Sequence, residues 1–332
     1  FQDGKPVMID TLSFDIWRGG AWAGYRQFCQ HFLAPLTLMA KVDARLGRLL
    51  QTNLDGVPLD MASRLLPAAT YLDPSTLIHV HLHSNAMKRF SDRQVKGRRM
   101  GKDSLLGLVD SLESAVKRLR LRADRTPWTS YYGERYGDGG KSLDWKKAVV
   151  AGYIAESRPT DVWDIGGNVG AFSRLATEKG IPTTLFDADH ACVEQCYLEA
   201  KARTERNLLP LVVDVTNPSP ASGWANEERA SLTGRGPADL VIALALTHHL
   251  AITDNIPFRM IADYFSRICR KLIVEFVPKD DPNVQRMLAS REDVFPEYGI
   301  DGFEAEFGRR FTTLRKERNP GTGRTIYLMV KR

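Results

Sequence analysis

The sequence has few cysteines and no long apolar run. Its 332 residues include four cysteines, and none of them forms a C-x-x-C pair, so the chain lacks the pattern of a disulfide-stapled or zinc-bound scaffold. We therefore expect reduced thiols and a cytoplasmic location. No stretch approaches the ~18 consecutive apolar residues of a membrane-spanning helix, and no signal peptide is visible. The sequence thus predicts a globular protein with no membrane partner.

Basic residues slightly outnumber acidic residues, 46 to 40. The net charge is +6 at pH 7, and basic residues gather at 88–102 and 118–125. Such clusters are typical either of a surface that binds nucleic acid or of a solvated linker and helix face. Base stacking needs aromatic side chains, and Phe90 is the only aromatic residue in either cluster. The sequence therefore favours the solvated surface over nucleic-acid binding.

The first 125 residues predict a mostly helical accessory region. Residues 1–10 have the pattern of a β-hairpin. Apolar residues spaced three and four apart predict a helix through 25–33, which Pro35 bends or ends. The same spacing predicts a second helix over 103–122.

Three histidines alternate with apolar residues at His79, His81 and His83. On a β-strand they would share one face, and three imidazoles can ligate zinc. No acidic residue lies close in sequence to orient them, so we predict no metal site.

From about residue 126 the pattern changes to alternating strands and helices. Helical stretches separate the first five predicted strands, and a short turn at 319–323 joins the last two. The predicted strands are 161–164, 183–186, 209–213, 240–246, 271–277, 311–318 and 324–331. Five β-α units predict parallel strands with right-handed crossovers, and the closing hairpin predicts one antiparallel strand.

These elements predict an α/β fold, a doubly wound Rossmann-like sheet of seven strands in residues 126–332. Such a sheet binds its ligand beyond the carboxyl ends of its strands. A glycine-rich loop follows the first strand there, and its polar and glycine residues are Asp164, Gly166, Gly167, Asn168 and Gly170. Glycine lets the backbone turn sharply and approach a ligand closely. Because Asn168 occupies the middle glycine position of a dinucleotide loop, where the pyrophosphate would approach, a dinucleotide fits poorly.

The loop resembles motif I of class I methyltransferases, with the pattern D-x-G-x-N-x-G. The resemblance implies S-adenosylmethionine as the cofactor, with Asp164 holding its methionine ammonium group. Acidic residues at later strand ends strengthen it. Asp187 closes the second strand, where a carboxylate can accept the ribose hydroxyls, and Asp214 closes the third beside Val215, where it can accept the adenine amino group.

Two further aspartates follow the same strand pattern. Asp239 opens the fourth strand, at the place of motif IV in the methyltransferase family. Asp189 is instead predicted to cap the helix that begins at His190.

Other segments are similar to a bacterial family of class I methyltransferases and NoeA-like nodulation proteins. These segments are 24–36, 247–250 and 274–281. The resemblance covers nearly the whole chain and implies an N-terminal accessory domain, residues 1–125, joined to a methyltransferase domain. Residues 3–10 also resemble a strand pair of kinase-like phosphotransferases, in which the aspartate matching Asp10 binds magnesium. Asp10-Thr11-Leu12 replaces the usual D-F-G, so this second resemblance implies at most a remnant of a kinase-like lobe.

Three residues are candidates for the chemistry of methyl transfer. The reaction needs acceptor and methyl group held in line, and oxygen or nitrogen acceptors often need a base. His248 and His249 directly follow the fourth strand, and histidine titrates near neutral pH. Either is the base, or one is structural and the other exposed. Glu275 lies in an apolar strand, where a carboxylate is rarely unpaired. It orients a histidine, contacts the acceptor, or is hydrogen-bonded within the core.

Aromatic residues precede the first strand at Trp128, Tyr131, Tyr132 and Tyr136. The resemblance to class I methyltransferases implies that this segment covers the cofactor. These rings therefore either shape the acceptor pocket or pack as ordinary core.

The sequence predicts a methyltransferase that acts on an oxygen or nitrogen of a small-molecule, glycan or natural-product acceptor. Two alternatives stay open. The pI of about 9.1 and the basic clusters suggest an RNA- or ribosome-directed methyltransferase. A cofactor-binding regulatory protein without catalysis would carry the same loop.

Overall fold

The computed structural model describes residues 5–8, 12, 14, 16–89, 100–121, 126, 128, 141–289 and 292–332. They fall into two compact units, one within Met8–Ala123 and the other formed by Phe1–Val7 with Asp124–Arg332. The predicted hairpin at 1–10, both basic clusters, and Tyr131, Tyr132 and Tyr136 lie wholly or partly outside the described residues. Within the described part, no helix is both long and apolar enough to cross a membrane.

The unit within Met8–Ala123 is helical, as predicted. Its α-helices are α1 (Gly24–Phe28), α2 (Ala34–Lys41), α3 (Leu49–Thr52), α4 (Leu59–Leu65), α5 (Pro74–Thr76), α6 (His83–Arg89) and α7 (Lys102–Arg118). Its described residues also form two π-helical segments, π1 (Cys29–Leu33) and π2 (Leu77–Leu82), and two 3₁₀ turns, Ala44–Arg48 and Ala68–Leu72. Apolar side chains such as Leu38, Leu59 and Val80 form its own buried core.

Pro35 does not end the first long helix. The segment π1 connects α1 directly to α2, and Pro35 lies in the first turn of α2. Proline lacks an N–H and clashes with the carbonyl of the preceding turn, so a wider π-helical turn placed before it lets the helix continue.

His79, His81 and His83 lie on π2 and α6 and not on the β-strand that a shared histidine face would require. Both ring nitrogens of His79 and of His81 form hydrogen bonds of 2.7–2.9 Å with hydroxyl groups, those of Tyr25, Ser111, Ser63 and Thr70. Among the described residues, no group of three or more His, Cys, Asp or Glu side chains is placed to hold a metal ion.

The second unit is built on a seven-stranded sheet. Its strands are β1 (Val162–Ile165), β2 (Thr183–Asp187), β3 (Leu208–Val212), β4 (Ala238–Ala243), β5 (Cys269–Phe276), β6 (Phe311–Arg318) and β7 (Thr325–Lys331). Their order is β3-β2-β1-β4-β5-β7-β6. Strands β1 to β5 are parallel, whereas β7 runs antiparallel to β5 and β6. The predicted seven-stranded α/β sheet with a closing hairpin is confirmed.

Helices cover both faces of this sheet. They are α8 (Lys141–Ser157), α9 (Ser173–Thr177), α10 (His190–Ala202), α11 (Leu232–Arg235), α12 (Phe258–Ile268), α13 (Pro282–Leu288) and α14 (Ile300–Gly308), with π3 (His249–Thr253) and a 3₁₀ turn at Trp224–Asn226. Successive residues of a strand face opposite sides. Leu240 accordingly packs in the core that includes α8, and Val241 in the core that includes α12 and α14. The sheet is therefore doubly wound.

The fourth strand ends earlier than predicted. The sequence predicts a strand over 240–246, but β4 ends at Ala243. Ala245 has a φ of +48°, a left-handed conformation that a strand cannot contain. The apolar run hid this bend, which turns the chain away from the sheet at its carboxyl edge.

Candidate active site

A cavity of about 480 Å³ lies in the sheet unit beyond the carboxyl ends of β1 to β4. The strand order reverses between β1 and β4, which is the point where an open parallel sheet leaves a crevice for a ligand. The volume lies within the roughly 300–1,000 Å³ typical of small-molecule sites. All the contributing elements belong to this one unit.

The loop after β1 forms one wall of the cavity. Gly166 and Asn168 have φ values of +73° and +53°, and both line the cavity together with Gly167. A Cβ on Gly167 would lie 2.7 Å from Cγ of Leu185 and 3.0 Å from Cγ of Asp164, so glycine is required there by close packing. Glycine is what lets this loop lie directly on the strand beneath it.

Gly170 has a different role from the other loop glycines. It has a φ of +83°, and a Cβ there would lie 2.9 Å from Sγ of Cys196. Among the described residues, Gly170 is not part of the cavity lining. Gly170 therefore lets the loop pack against Cys196, on the side away from the cavity.

Asp164 is the most deeply buried acid of the cavity. Its side chain is 2% exposed, and the hydroxyl of Ser173 donates a 2.6 Å hydrogen bond to Oδ2. The pKa of Asp164 is raised to about 6, mainly by burial; nearby Asp187 also acts to raise it, while Ser173 and Lys146 act to lower it. A cation beside this carboxyl group would favour its charged form.

Asp187 ends β2 and is held by the backbone of two loops. Its Oδ2 accepts a hydrogen bond from the N–H of Asn168, and its Oδ1 from the N–H of Asp189, both at 2.8 Å. Burial raises the pKa of this carboxyl group. Asp189 caps α10 by accepting from the N–H of Ala191 and of Cys192. The predicted cap is confirmed, and Asp189 also contributes to the cavity lining.

A second acidic region of the lining follows β3 and π3. Asp214 and Val215, two of the residues predicted to bind the cofactor, line the cavity. Strand β3 ends at Val212, two residues before Asp214. Asp254 lines it too, and its pKa is raised by burial and by Asp214. No strand-end pattern marks Asp254, so sequence reasoning missed it.

Of the two adjacent histidines, only His249 is part of the lining described by the structure. The ring of Trp128 meets the His249 ring edge-on, with centroids 5.4 Å apart. The backbone oxygen of Trp128 also accepts a 2.9 Å hydrogen bond from the side-chain amide of Asn168. Trp128 thus joins the glycine loop to the histidine.

His248 lies behind His249. It is 2% exposed, its ring centroid is 4.3 Å from that of His249, and none of the described residues hydrogen-bonds its Nδ1 atom. Burial lowers the pKa of His248 well below its usual value, with further lowering by His249, Arg324 and Lys146. His248 is therefore neutral near pH 7.

Glu275 is 1% exposed and is not among the described lining residues. Its Oε2 atom accepts hydrogen bonds from Nζ of Lys146 at 2.6 Å and from the N–H of Ala245 at 2.7 Å. Both donors line the cavity, so Glu275 lies one layer behind its surface.

Lys146 was missed by sequence reasoning. It is 4% exposed on α8, in phase with the buried Val150 and Ile154 of the same helix. A lysine at a core-facing helical position is a signal that a partner exists.

Asp239 does not reach the cavity. It lies at the amino end of β4, whereas the cavity lies at the carboxyl ends. Its carboxylate accepts a 2.9 Å hydrogen bond from the N–H of Thr160 and forms an ion pair with Lys271. Asp239 therefore connects elements at the opposite edge of the sheet.

No protein-family model matches the chain. The chain is 33% identical over 336 residues to nodulation protein NoeA of Rhizobium meliloti (strain 1021), covering 98% of this chain and 70% of that protein.

Two solved structures are similar to part of the chain. The N-methyltransferase NodS from Bradyrhizobium japonicum WM9 in complex with S-adenosyl-L-homocysteine has a TM-score of 0.45 and 12% identity, covering 61% of this chain and 94% of that one. The magnesium protoporphyrin IX methyltransferase ChlM from Synechocystis PCC 6803 has a TM-score of 0.42 and 17% identity, covering 63% and 100%.

Proposed function

This chain belongs to the family of nodulation protein NoeA, and from that premise we propose that it is an S-adenosylmethionine-dependent methyltransferase. The observation that carries the proposal is one cavity in which a glycine-hinged loop after β1 meets Asp187 at the end of β2 and Asp214 just beyond β3. We assign the chemistry to residues 126–332 and an accessory role to residues 1–125.

The charges of the cavity fit this cofactor. Partly buried carboxylates are costly unless a cation or hydrogen-bond donors meet them. S-adenosylmethionine supplies an ammonium group, a sulfonium centre, ribose hydroxyls and an adenine amino group, and when bound it provides the methyl group. We assign Asp164 to the ammonium group, Asp187 to the ribose, and Asp214 with Val215 to the adenine. Gly166, Gly167 and Asn168 bring the backbone close, and Gly170 supports their loop.

We assign to His249 the role of the general base that removes the acceptor's proton, because this histidine faces the cavity. A general base must lie within reach of the proton that it removes. His248 is buried and neutral behind it and supports the ring of His249. Trp128 packs against His249 and excludes water from that side. The acceptor is a small molecule or glycan that offers an oxygen or nitrogen.

Calorimetry with S-adenosylmethionine and S-adenosylhomocysteine tests the cofactor. Loss of a hydrogen bond to a charged group costs about 1.5–3 kcal/mol, so we expect Asp187→Ala to weaken binding roughly 10- to 100-fold. Asp239→Ala is the matched control, since Asp239 lies at the other edge of the sheet, and it should bind like the unaltered protein. If the unaltered protein binds neither compound, the proposal fails.

A methyl-transfer screen over extract fractions tests the acceptor class. We expect labelled methyl groups on RNase-resistant small molecules or glycans, and turnover lost in His249→Ala with cofactor affinity retained. Labelling abolished by RNase, with affinity that falls steeply with salt, would favour the RNA-directed alternative. Cofactor binding without transfer in any fraction would favour the regulatory alternative.

A further inference from the structure

Ala245 has an unfavourable backbone conformation in the cavity wall. Its φ is +48°, a region that non-glycine residues avoid because Cβ crowds the following carbonyl oxygen. Leu244, Ala245 and Leu246 all line the cavity. Other contacts must therefore hold this bend, and its shape sets the wall between the glycine loop and His249.

Glu275 on the neighbouring strand β5 contacts both sides of the bend. Its Oε2 atom accepts a 2.7 Å hydrogen bond from the N–H of Ala245. Its backbone oxygen accepts a 2.8 Å hydrogen bond from the hydroxyl of Thr247. Glu275 and Thr247 are 1% and 0% exposed, so the acceptor residue of both bonds is buried. One residue thereby fastens the chain before and after Leu246.

Lys146 determines where the Glu275 carboxylate lies. Its Nζ atom donates to the same Oε2 at 2.6 Å, and the two side chains are 5% and 1% exposed. Separating two buried opposite charges is expensive, which keeps the carboxylate at one position. The shared oxygen thus couples helix α8 to the bend after β4.

We propose that Glu275 is a positioning residue that holds Ala245 in its left-handed conformation and so shapes the wall of the cofactor cavity. It acts through Ala245 and Thr247 and touches neither cofactor nor acceptor. This inference rests on the proposed function for its ligand, and it names a role for Glu275 other than catalysis.

The first test measures S-adenosylhomocysteine affinity by calorimetry, with circular dichroism to establish folding. Glu275→Met removes the acceptor, and we expect affinity to fall roughly tenfold, the scale of one strained backbone conformation. Glu275→Gln keeps an oxygen that can accept from the N–H of Ala245, so its affinity should stay within about threefold of the unaltered protein. An equal loss in Glu275→Gln would overturn the proposal, because the charge and not the hydrogen bond would then matter.

The decisive measurement is rescue. Glycine adopts a positive φ without penalty, so Ala245→Gly in the Glu275→Met background should recover most of the lost affinity. Ala225 also has a positive φ, +52°, but on the 3₁₀ turn at Trp224–Asn226. Ala225→Gly is therefore the matched control and should recover nothing. Equal recovery by both glycine variants, or by neither, refutes the inference.

A readout without cofactor separates this inference from the proposed function. We expect the Ala245 amide to exchange with solvent hydrogen at least about tenfold faster in Glu275→Met, while β1 amides are unchanged. If Glu275→Met does not fold, Thr247→Val, which is nearly isosteric, should accelerate the same amide by a smaller factor. Unchanged exchange at Ala245 refutes the positioning role even where cofactor binding is established. Failure of the unaltered protein to bind cofactor refutes the proposed function alone.

Discussion

If Asp164 holds the ammonium group of the cofactor, as proposed, we expect cofactor binding to depend on pH. Burial raises the pKa of this carboxyl group from its usual 3.8 to about 6. The folded protein therefore holds a proton that the unfolded chain releases between these two pH values. The stability that the neutral form contributes is present below pH 3.8 and is lost as pH rises through about 6. The difference corresponds to about 3 kcal/mol by pKa linkage, an order-of-magnitude value.

A cationic ligand reverses this cost. If the ammonium group of the cofactor lies against Asp164, it favours the charged carboxylate and lowers the pKa of Asp164 in the complex. Binding must then expel the proton at low pH. We expect the dissociation constant of S-adenosylhomocysteine to be nearly constant above the pKa of about 6. Below it, the constant should rise by up to about tenfold per pH unit.

Calorimetry between pH 5 and 8 measures this dependence. Buffers of different ionisation enthalpy report the protons released, and we expect about half a proton per ligand bound near pH 6, rising toward one proton at pH 5. Asp164→Asn cannot ionise, so it should bind more weakly at pH 7.5 and lose the slope. The same slope in Asp164→Asn and the unaltered protein would refute the assignment, since another group, such as His249, would then carry it.

Two further predictions concern stability. Gly167→Ala should lower the free energy of unfolding by about 1–3 kcal/mol, because its Cβ would lie 2.7 Å from Leu185. Gly152→Ala on α8 is the control and should not destabilise the protein, because no atom lies within 4 Å of its Cβ. Chemical denaturation measures both variants, and equal effects would contradict the packing argument. Burial lowers the pKa of His79 and of His81 below the usual 6.5, so the helical unit should lose stability as pH falls below 6.5. Hydrogen exchange at pH 5 and 7.5 should show faster opening of Met8–Ala123 in acid, and equal protection at both pH values would show that these histidines do not control it.

Local patterns predicted the sheet and the loop because each signal lies within a few residues. Hydrophobic periodicity and turn residues predict the β-α alternation and the closing hairpin. The cap at Asp189 depends on neighbours two and three residues away. The continuation of the helix through Pro35 and the hydroxyl partners of His79 were not predicted, because neither a π-helical turn nor a partner on a distant helix has a short-range signature.

The sequence by itself determined the order of strands and helices and the glycine-hinged loop after β1, since backbone propensity and side-chain periodicity act over short distances. Only the tertiary structure decided which charged groups meet. Lys146 and Glu275 are 129 residues apart in the chain, yet their side chains share a buried hydrogen bond. Asp239 and Asp187 both lie near the end of a strand, but only Asp187 lies at the edge that holds the cavity. Burial and strand direction set those outcomes, and both arise when the whole sheet has assembled.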